Sequence, residues 1–348
     1  MKIAMIHVDL PNESKGGVAF QAHYLANALV DRGHDVTMFT FSPVYEECLY
    51  KVHQYAIAPK LRKFQSFLFA YHLGRTDFSG FDIIHSHGDN YLMGAKHPQI
   101  RTFHGSARDE AAFATSLKRR IYQSLTVYLE EAGARVADIN IGVSEATKSR
   151  IPAIAQIIPC GFDRDRFYAG QKSAHPTILF VGTLEGRKRG GWLAEIFNRE
   201  IRTVIPTAEL WSVSDRPLEG EGIVNFGRIP LEHLCELFRT TWVFCLPSTY
   251  EGFGVPYIEA MASGTSVVAS PNLGAKEVLG NGKFGIIAED DQLGSSLLRL
   301  LMDTELRDHY VKRGTLRSHD FTWSRIVEQY EKIYESLYES TAKVNEVI

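Results

Sequence analysis

The feature that most constrains this chain is an alternation, repeated twice, of short apolar runs with longer segments of helical period. KIAMIHV, residues 2–8, reads as a buried strand, and a turn with Gly16-Gly17 follows it. Ala22, Leu25, Ala26 and Leu29 then share one face of a helix that stops near Gly33. DVTMFTF, DIIHS, QIRTFH and DINIGV read as further strands. The polar stretch GFDRDRFYAGQKSAHP has no period, and a second series begins after it: TILFVGT, AELWSV, GIVNFG, WVFCLPS, TSVVAS and FGIIA. Ile326, Tyr330, Ile333, Tyr334 and Leu337 predict a closing helix. Such alternation implies parallel sheets covered by helices. The 348 residues also exceed what one core usually organises, roughly 250–300. The expectation is an α/β chain of two doubly wound domains, 1–162 and 177–320, joined by a linker at 163–176. A terminal helix within 321–348 packs back toward the first domain. Ligands of such sheets bind outside the carboxyl ends of the strands, so a cleft between facing domains is expected.

Composition narrows the function classes. The chain is 45% hydrophobic and 23% charged with a formal net charge of −3, which gives no reason to expect nucleic acid as a partner. No run of about 18 apolar residues suggests a membrane span. The opening MKIAMIHVDLPNES reads as a strand and turn and lacks a leader's cleavage pattern, so a cytoplasmic location is expected. Cys48, Cys160, Cys235 and Cys245 have neither metal-ligand nor CxxC spacing and read as reduced core thiols.

PSTYEGFGVPYIEAMASG, residues 247–264, carries the strongest chemical signal. Pro256 suits the first turn of a helix and Gly264 suits its end. Gly252 and Gly254 let backbone approach a ligand, and the amides of Phe253, Gly254 and Val255 with the helix dipole make an anion site fit for a phosphate. Glu259, one turn in, is placed to accept hydrogen bonds from sugar hydroxyls rather than to touch phosphate. Glu251 precedes the turn and faces the other side. That arrangement suits a sugar nucleotide, with a carboxylate at each carbohydrate and amides between. The plain alternative makes Glu251 a solvated loop residue and Glu259 a favourable first-turn acid.

The same stretch resembles the E-x7-E signature of retaining glycosyltransferases of family 4, which have the GT-B architecture of two Rossmann-like domains facing a central cleft. GGV, FDIIHSH, TFHG, VSE, IPCGFD, VGTLEGRKRG, VNFGRI and GAKEVLGNGKFG fall in the family's order, densely in the second half and sparsely before residue 100. The resemblance implies transfer of a sugar, commonly a hexose, from a nucleotide-diphosphate donor with its anomeric configuration kept. It places Glu259 on the ribose and Glu251 on the transferred sugar. Gly252, Phe253, Gly254 and Val255 would serve sugar and diphosphate, Ile229 the base, and Gly17 the phosphates from the first domain. His104 matches the active-site histidine near the donor sugar, positioning it rather than acting as a general base. No cofactor and no divalent metal are implied.

Departures from the family's pattern matter too. Where the family has an arginine just after the strand glycine, this chain has Thr183, and Ser214-Asp215 replaces the glycines of the next loop. Charge on the leaving diphosphate still needs compensation. Lys188 and Arg187 are the expected donors of it, ahead of Arg189; a solvated basic turn is the alternative. His85 and His87, two apart on a strand, share a face; they read as strand-end residues toward the cleft and acceptor in preference to metal ligands. Asp163-Arg164-Asp165 reads as structural.

KLRKFQSFLFAYHLGR, residues 60–75, mixes Lys60, Arg62 and Lys63 with Phe64, Phe67, Leu68 and Tyr71. It can lie on an anionic membrane surface, giving a peripheral location, or turn an apolar side to the core and a basic side to solvent. Lys118, Arg119 and Arg120 add slightly to the first reading. Competing functions on the same fold are a sugar-nucleotide epimerase, a phosphorylase or a non-catalytic nucleotide-sugar-binding subunit. A dehydrogenase is disfavoured because DLPNESKGGV is not GxGxxG. The acceptor and the donor's base and sugar are not legible.

Overall fold

The computed structural model describes residues 1–11, 17–94, 98–112 and 116–345. The chain divides into two compact units. One comprises Met1–Gly161 with Trp323 onward, the other Phe162–Thr322.

Unit 1 is built on a seven-stranded parallel sheet in the order β3-β2-β1-β4-β5-β6-β7. Its strands are β1 (Lys2–Ile6), β2 (Asp35–Thr40), β3 (Lys51–Gln54), β4 (Ile83–Ser86), β5 (Gln99–Phe103), β6 (Ile139–Gly142) and β7 (Gln156–Ile157). Helices α1 (Val18–Asp31), α2 (Gln65–Arg75), α3 (Ala107–Ala112) and α4 (Leu117–Val136) belong to this unit. The sheet is covered on both faces. Ile3 and Met5 of β1 join Leu25 and Leu29 of α1 in one core. Ala4 and Ile6 pack on the other side with Phe69 and Leu73 of α2. Burial on both faces is why these strands are continuously apolar rather than alternating.

Unit 2 has a six-stranded parallel sheet in the order β10-β9-β8-β11-β12-β13. Its strands are β8 (Thr177–Gly182), β9 (Glu209–Ser214), β10 (Ile223–Asn225), β11 (Val243–Leu246), β12 (Ser266–Ala269) and β13 (Ile286–Ile287). Helix α5 (Val255–Ala262) follows β11, and α6 (Leu273–Val278) follows β12. The final helix α7 (Trp323–Asn345) returns to unit 1, where Ile326, Tyr330, Ile333 and Tyr334 complete the α1 core.

Residues 163–176, expected as a linker, are instead packed into unit 2. Phe167 stacks edge-on against Phe238, and the Lys172 amine donates to the carbonyls of Arg239 and Ser263 and to Thr265 Oγ1. A polar, aperiodic stretch can thus be fixed by hydrogen bonds that leave no apolar pattern behind. Asp163 accepts from the Asp165 amide and pairs with Arg166, which accounts for the Asp-Arg-Asp run within the fold. Three of the expected core thiols are buried; Cys48 is half-buried, and all four cysteines are free.

Both strand orders reverse direction once, between β1 and β4 in unit 1 and between β8 and β11 in unit 2. At such points the loops diverge and open a crevice at the strands' carboxyl ends. His7, the candidate His87, and the loops 183–189 and 247–254 follow those four strands.

Candidate active site

In unit 2 the candidate residues form a turn held from three sides. Gly254 stands at φ +106° immediately before α5. A Cβ there would lie 2.5 Å from the Tyr257 ring, so both backbone and space require glycine. Tyr257 in turn donates its hydroxyl to the Leu246 carbonyl, anchoring α5 to the end of β11. On the far side, a Cβ at Gly274 of α6 would meet the carbonyl oxygens of Phe253 at 2.6 Å and Glu251 at 2.8 Å. Asn272 caps α6 through the Ala275 amide and donates to the Ser248 carbonyl. Phe253 itself is buried against Phe321. The amides of Phe253, Gly254 and Val255 meet no acceptor among the described residues.

Glu251 is buried, which rules out a solvated loop residue. Its Oε1 sits 2.6 Å from Lys188 Nζ and 3.0 Å from Arg187 NH1. Burial opposes ionisation, but the charges of Lys188 and Arg187 and the Lys188 hydrogen bond outweigh it and hold the carboxyl below its usual range. Both cations come from the short turn Gly186–Lys188 after β8. The Thr249 amide donates to the Arg187 carbonyl and Arg187 NH1 to the Tyr250 carbonyl, joining this turn to the E-x7-E loop.

Arg189 has other work. Its guanidinium grips Asp290 bidentately at 2.7 and 2.8 Å, Ser270 Oγ and the Pro247 carbonyl, and lies over Trp192. The Ser214-Asp215 departure is also structural: Asp215 accepts from the Leu184 amide and Arg216 pairs with Glu185. Thr183 donates to the Glu185 carbonyl. Two loops at the sheet's edge are thereby braced against each other.

Glu259 contrasts with Glu251. Its carboxyl accepts no hydrogen bond from the described residues, and desolvation, opposed only by the charge of Lys188, pushes it up to about 7. Ile229 lies half-buried on the loop after β10 and Gly17, at φ +56°, begins α1. Gly16 falls outside the described residues.

In unit 1 the site is a histidine cluster. His87 Nδ1 and His104 Nε2 are 2.8 Å apart, one ring donating and the other accepting. Desolvation, with His7 adding like-sign repulsion, pushes His104 down to about 3, so it is neutral at ordinary pH. His87 Nε2 is buried without a hydrogen-bond partner among the described residues. His104 and His87 line a cavity of about 270 Å³ with Arg101, Gln123, Thr126 and Glu130. Glu130 of α4 accepts the Ala107 amide with both oxygens. His85 differs from expectation: it faces no cleft. Its ring is fully buried, with Tyr334 OH at 2.6 Å and Thr102 Oγ1 at 2.8 Å, so it ties β4 to α7. Strand alternation puts two side chains on one face but not at one depth. Among the described residues no group of three or more His, Cys, Asp or Glu is arranged to hold a metal.

Sequence reading missed Arg101, Glu130 and Gly274. The first two stand in segments whose only signal was apolar period or charge. The third had a signal in Asn272, a cap residue just before a glycine that a six-residue helix had no other reason to carry.

Two family descriptions match these two halves: "Glycosyltransferase Family 4" over residues 15–166 and "Glycosyl transferases group 1" over residues 175–303. The chain belongs to the family 4 glycosyltransferases. Their GT-B fold of two Rossmann-like domains is the one described above. The phosphatidyl-myo-inositol mannosyltransferase of Mycolicibacterium smegmatis is 28% identical over 293 residues, 76% of this chain and 73% of that protein. Sucrose-phosphate synthase from Thermosynechococcus elongatus matches in structure with a TM-score of 0.80 at 24% identity, covering 97% of this chain and 99% of that one. The Anabaena HepE structure with UDP and glucose has a TM-score of 0.72 at 18% identity, covering 97% and 100%. The glycosyltransferase described here has no helix among its described residues long and apolar enough to cross a membrane.

Proposed function

We propose that this glycosyltransferase is retaining and metal-independent, and moves a hexose from a nucleoside-diphosphate donor to a hydroxyl of a carbohydrate, lipid or small-molecule acceptor. One observation carries the reading: two carboxylates in opposite electrostatic states flank the amides of Phe253, Gly254 and Val255, which meet no acceptor among the described residues. Glu259, unbonded, takes the ribose hydroxyls. The amides of Gly252, Phe253, Gly254 and Val255 take sugar and diphosphate, with Ile229 at the base and Gly17 at the phosphates. Glu251 orients the transferred sugar, and His104 positions it from the first unit. Lys188 and Arg187 stabilise charge on the leaving diphosphate.

In the reaction the bond from the anomeric carbon to the diphosphate oxygen breaks and the bond to the acceptor oxygen forms on the same face. The acceptor's proton passes to the leaving phosphate oxygen. No side chain is needed as a nucleophile, so orientation and charge stabilisation supply the catalysis. A mannosyltransferase among the relatives and a structural neighbour holding UDP and glucose support a sugar-nucleotide donor. Residues 60–75 give the chain a peripheral membrane contact in this reading.

A thermal-shift panel of UDP-, GDP- and ADP-sugars, each with and without EDTA, tests the proposal. A bound donor at 100 times its dissociation constant stabilises by about 2.7 kcal/mol. One class of donor should shift the protein, equally with EDTA, and the product should keep the donor's anomeric configuration by NMR. Indifference to every donor, or an inverted product, removes the reading.

A further inference from the structure

Helix α4 is inside out. Of its twenty residues only Gly133 and Ala134 are buried. Leu117, Ile121, Leu125 and Tyr128 recur at i, i+4, i+8 and i+11, one continuous stripe, and are 72%, 62%, 48% and 70% exposed. Polar Gln123, Thr126 and Glu130 take the opposite face and line the His104 cavity. An ordinary surface helix has the reverse arrangement.

The stripe is not isolated. The hydroxyl of Tyr91 donates to the Ser66 carbonyl at the start of α2, and the neighbouring Asn90 side-chain amide donates to the Gly133 carbonyl of α4. The segment Asn90–Leu92 therefore ties α2 to α4. On the α2 side Leu61, Phe64, Phe67 and Tyr71 are exposed, as is Leu92, while Phe69, Ala70 and Leu73 face the core. This segment thus turns one apolar side to the core and leaves a second to solvent. Contiguous exposed apolar area of this kind marks an interaction surface.

Charge identifies the occupant. Residues 59–75 contain Lys60, Arg62, Lys63 and Arg75 and no carboxylate; residues 117–129 contain Lys118, Arg119 and Arg120 and no carboxylate. Arg119 pairs with Glu110 of α3, leaving the other cations to solvent. A second copy of the chain would bring this predominantly basic face against itself, since the half-exposed Glu131 of α4 is paired with Arg135. We infer that the outer faces of α4 and α2 dock on an anionic lipid bilayer, the Leu117–Tyr128 stripe entering the headgroup region and the cations meeting lipid phosphates. Such binding adds apolar burial to roughly 1 kcal/mol per basic residue near the surface. The His104 cavity then lies about one helix diameter, roughly 10 Å, from the bilayer. The acceptor favoured by this geometry is a hydroxyl-bearing lipid headgroup. That last step rests on the glycosyltransferase reading; the docking does not.

Vesicle flotation of the full chain tests the docking, using phosphatidylcholine alone and an equal mixture with phosphatidylglycerol. Wild type should float with the mixture, not with phosphatidylcholine, and be released by high salt. The Ile121→Glu, Leu125→Glu double variant should lose binding at least about tenfold. Lys118→Gln with Arg120→Gln should bind more weakly and with less salt dependence. Both variants alter exposed positions and should keep the wild-type Tm and donor-induced shift. A wild type that stays unbound, undiminished flotation of the glutamate variant, or a dimer in solution that the glutamates abolish would each overturn the inference. Flotation needs no donor, so failure of the donor panel leaves its outcome readable.

Discussion

Lys188 Nζ lies 2.6 Å from Glu251 Oε1, so the strongest candidate phosphate cation holds the candidate sugar carboxylate. Arg187 shares the same oxygen at 3.0 Å. A buried carboxylate left with fewer cations is destabilising, while removal of both partners is much less so. Lys188→Ala should therefore cost about 1–3 kcal/mol of stability. The Lys188→Ala, Glu251→Ala double variant should recover a large part of that loss in urea unfolding. Donor affinity should not recover in the double variant, because the diphosphate still lacks its cation. If affinity returned with stability, Lys188 would be a scaffold residue only.

Glu259 ties stability and donor binding to pH in opposite senses. Its carboxyl is pushed up to about 7 in the folded chain, above the value near 4.3 expected when unfolded. The native state binds the proton more tightly, so this group's contribution to stability falls as pH rises from about 4.3 to about 7. Glu259→Gln should be more stable than wild type at pH 8, by roughly 1–3 kcal/mol, and the gain should vanish toward pH 4. Donor capture runs the other way, since the ionised form accepts hydrogen bonds from the ribose. In wild type kcat/KM should rise with pH through about 7, and the Gln variant should lack that limb. A wild-type profile without the rise, or a Gln variant no more stable at pH 8, would contradict the assignment.

The histidine pair predicts a loss without a titration. His104 is pushed down to about 3, so its imidazole is neutral throughout the working range. His104→Ala should lower kcat by roughly 100-fold through lost positioning. His104→Asn, able to keep one hydrogen bond to His87, should lose less, and the acid limb near pH 7 should persist in it. Full activity in the alanine variant would take His104 out of the mechanism.

Gly274 makes a purely steric prediction. An added methyl meets backbone carbonyls at 2.6 and 2.8 Å, atoms that move only with the whole Glu251–Phe253 turn. Gly274→Ala should cost about 1–3 kcal/mol and raise KM for the donor more than it lowers stability would explain. An unchanged KM would mean that the turn tolerates displacement.

Much of the fold was legible because the central strands are buried on both faces and so spell their positions in apolar runs. β3, residues Lys51–Gln54, was not, since an edge strand with exposed Lys51, His53 and Gln54 carries neither a run nor an alternation. β7 is only two residues long, too short for a pattern. The loop of 247–254 was legible because two glycines followed by a proline at a helix start mark a close turn by their spacing alone. His85 was not: its spacing from His87 is that of any strand pair, and it is Thr102 and Tyr334, the latter 249 residues on, that make it structural.

The amino-acid sequence by itself determined the alternating strands and helices and the turn before α5, because each depends on neighbours within a few residues. Only the tertiary structure decided that Lys188 and Arg187 hold Glu251, that Arg189 is committed to Asp290, and that α4 turns its apolar stripe outward. Those outcomes depend on burial and on partners far apart in the chain. Coulombic and packing energies are set by distance in space, which sequence spacing does not encode.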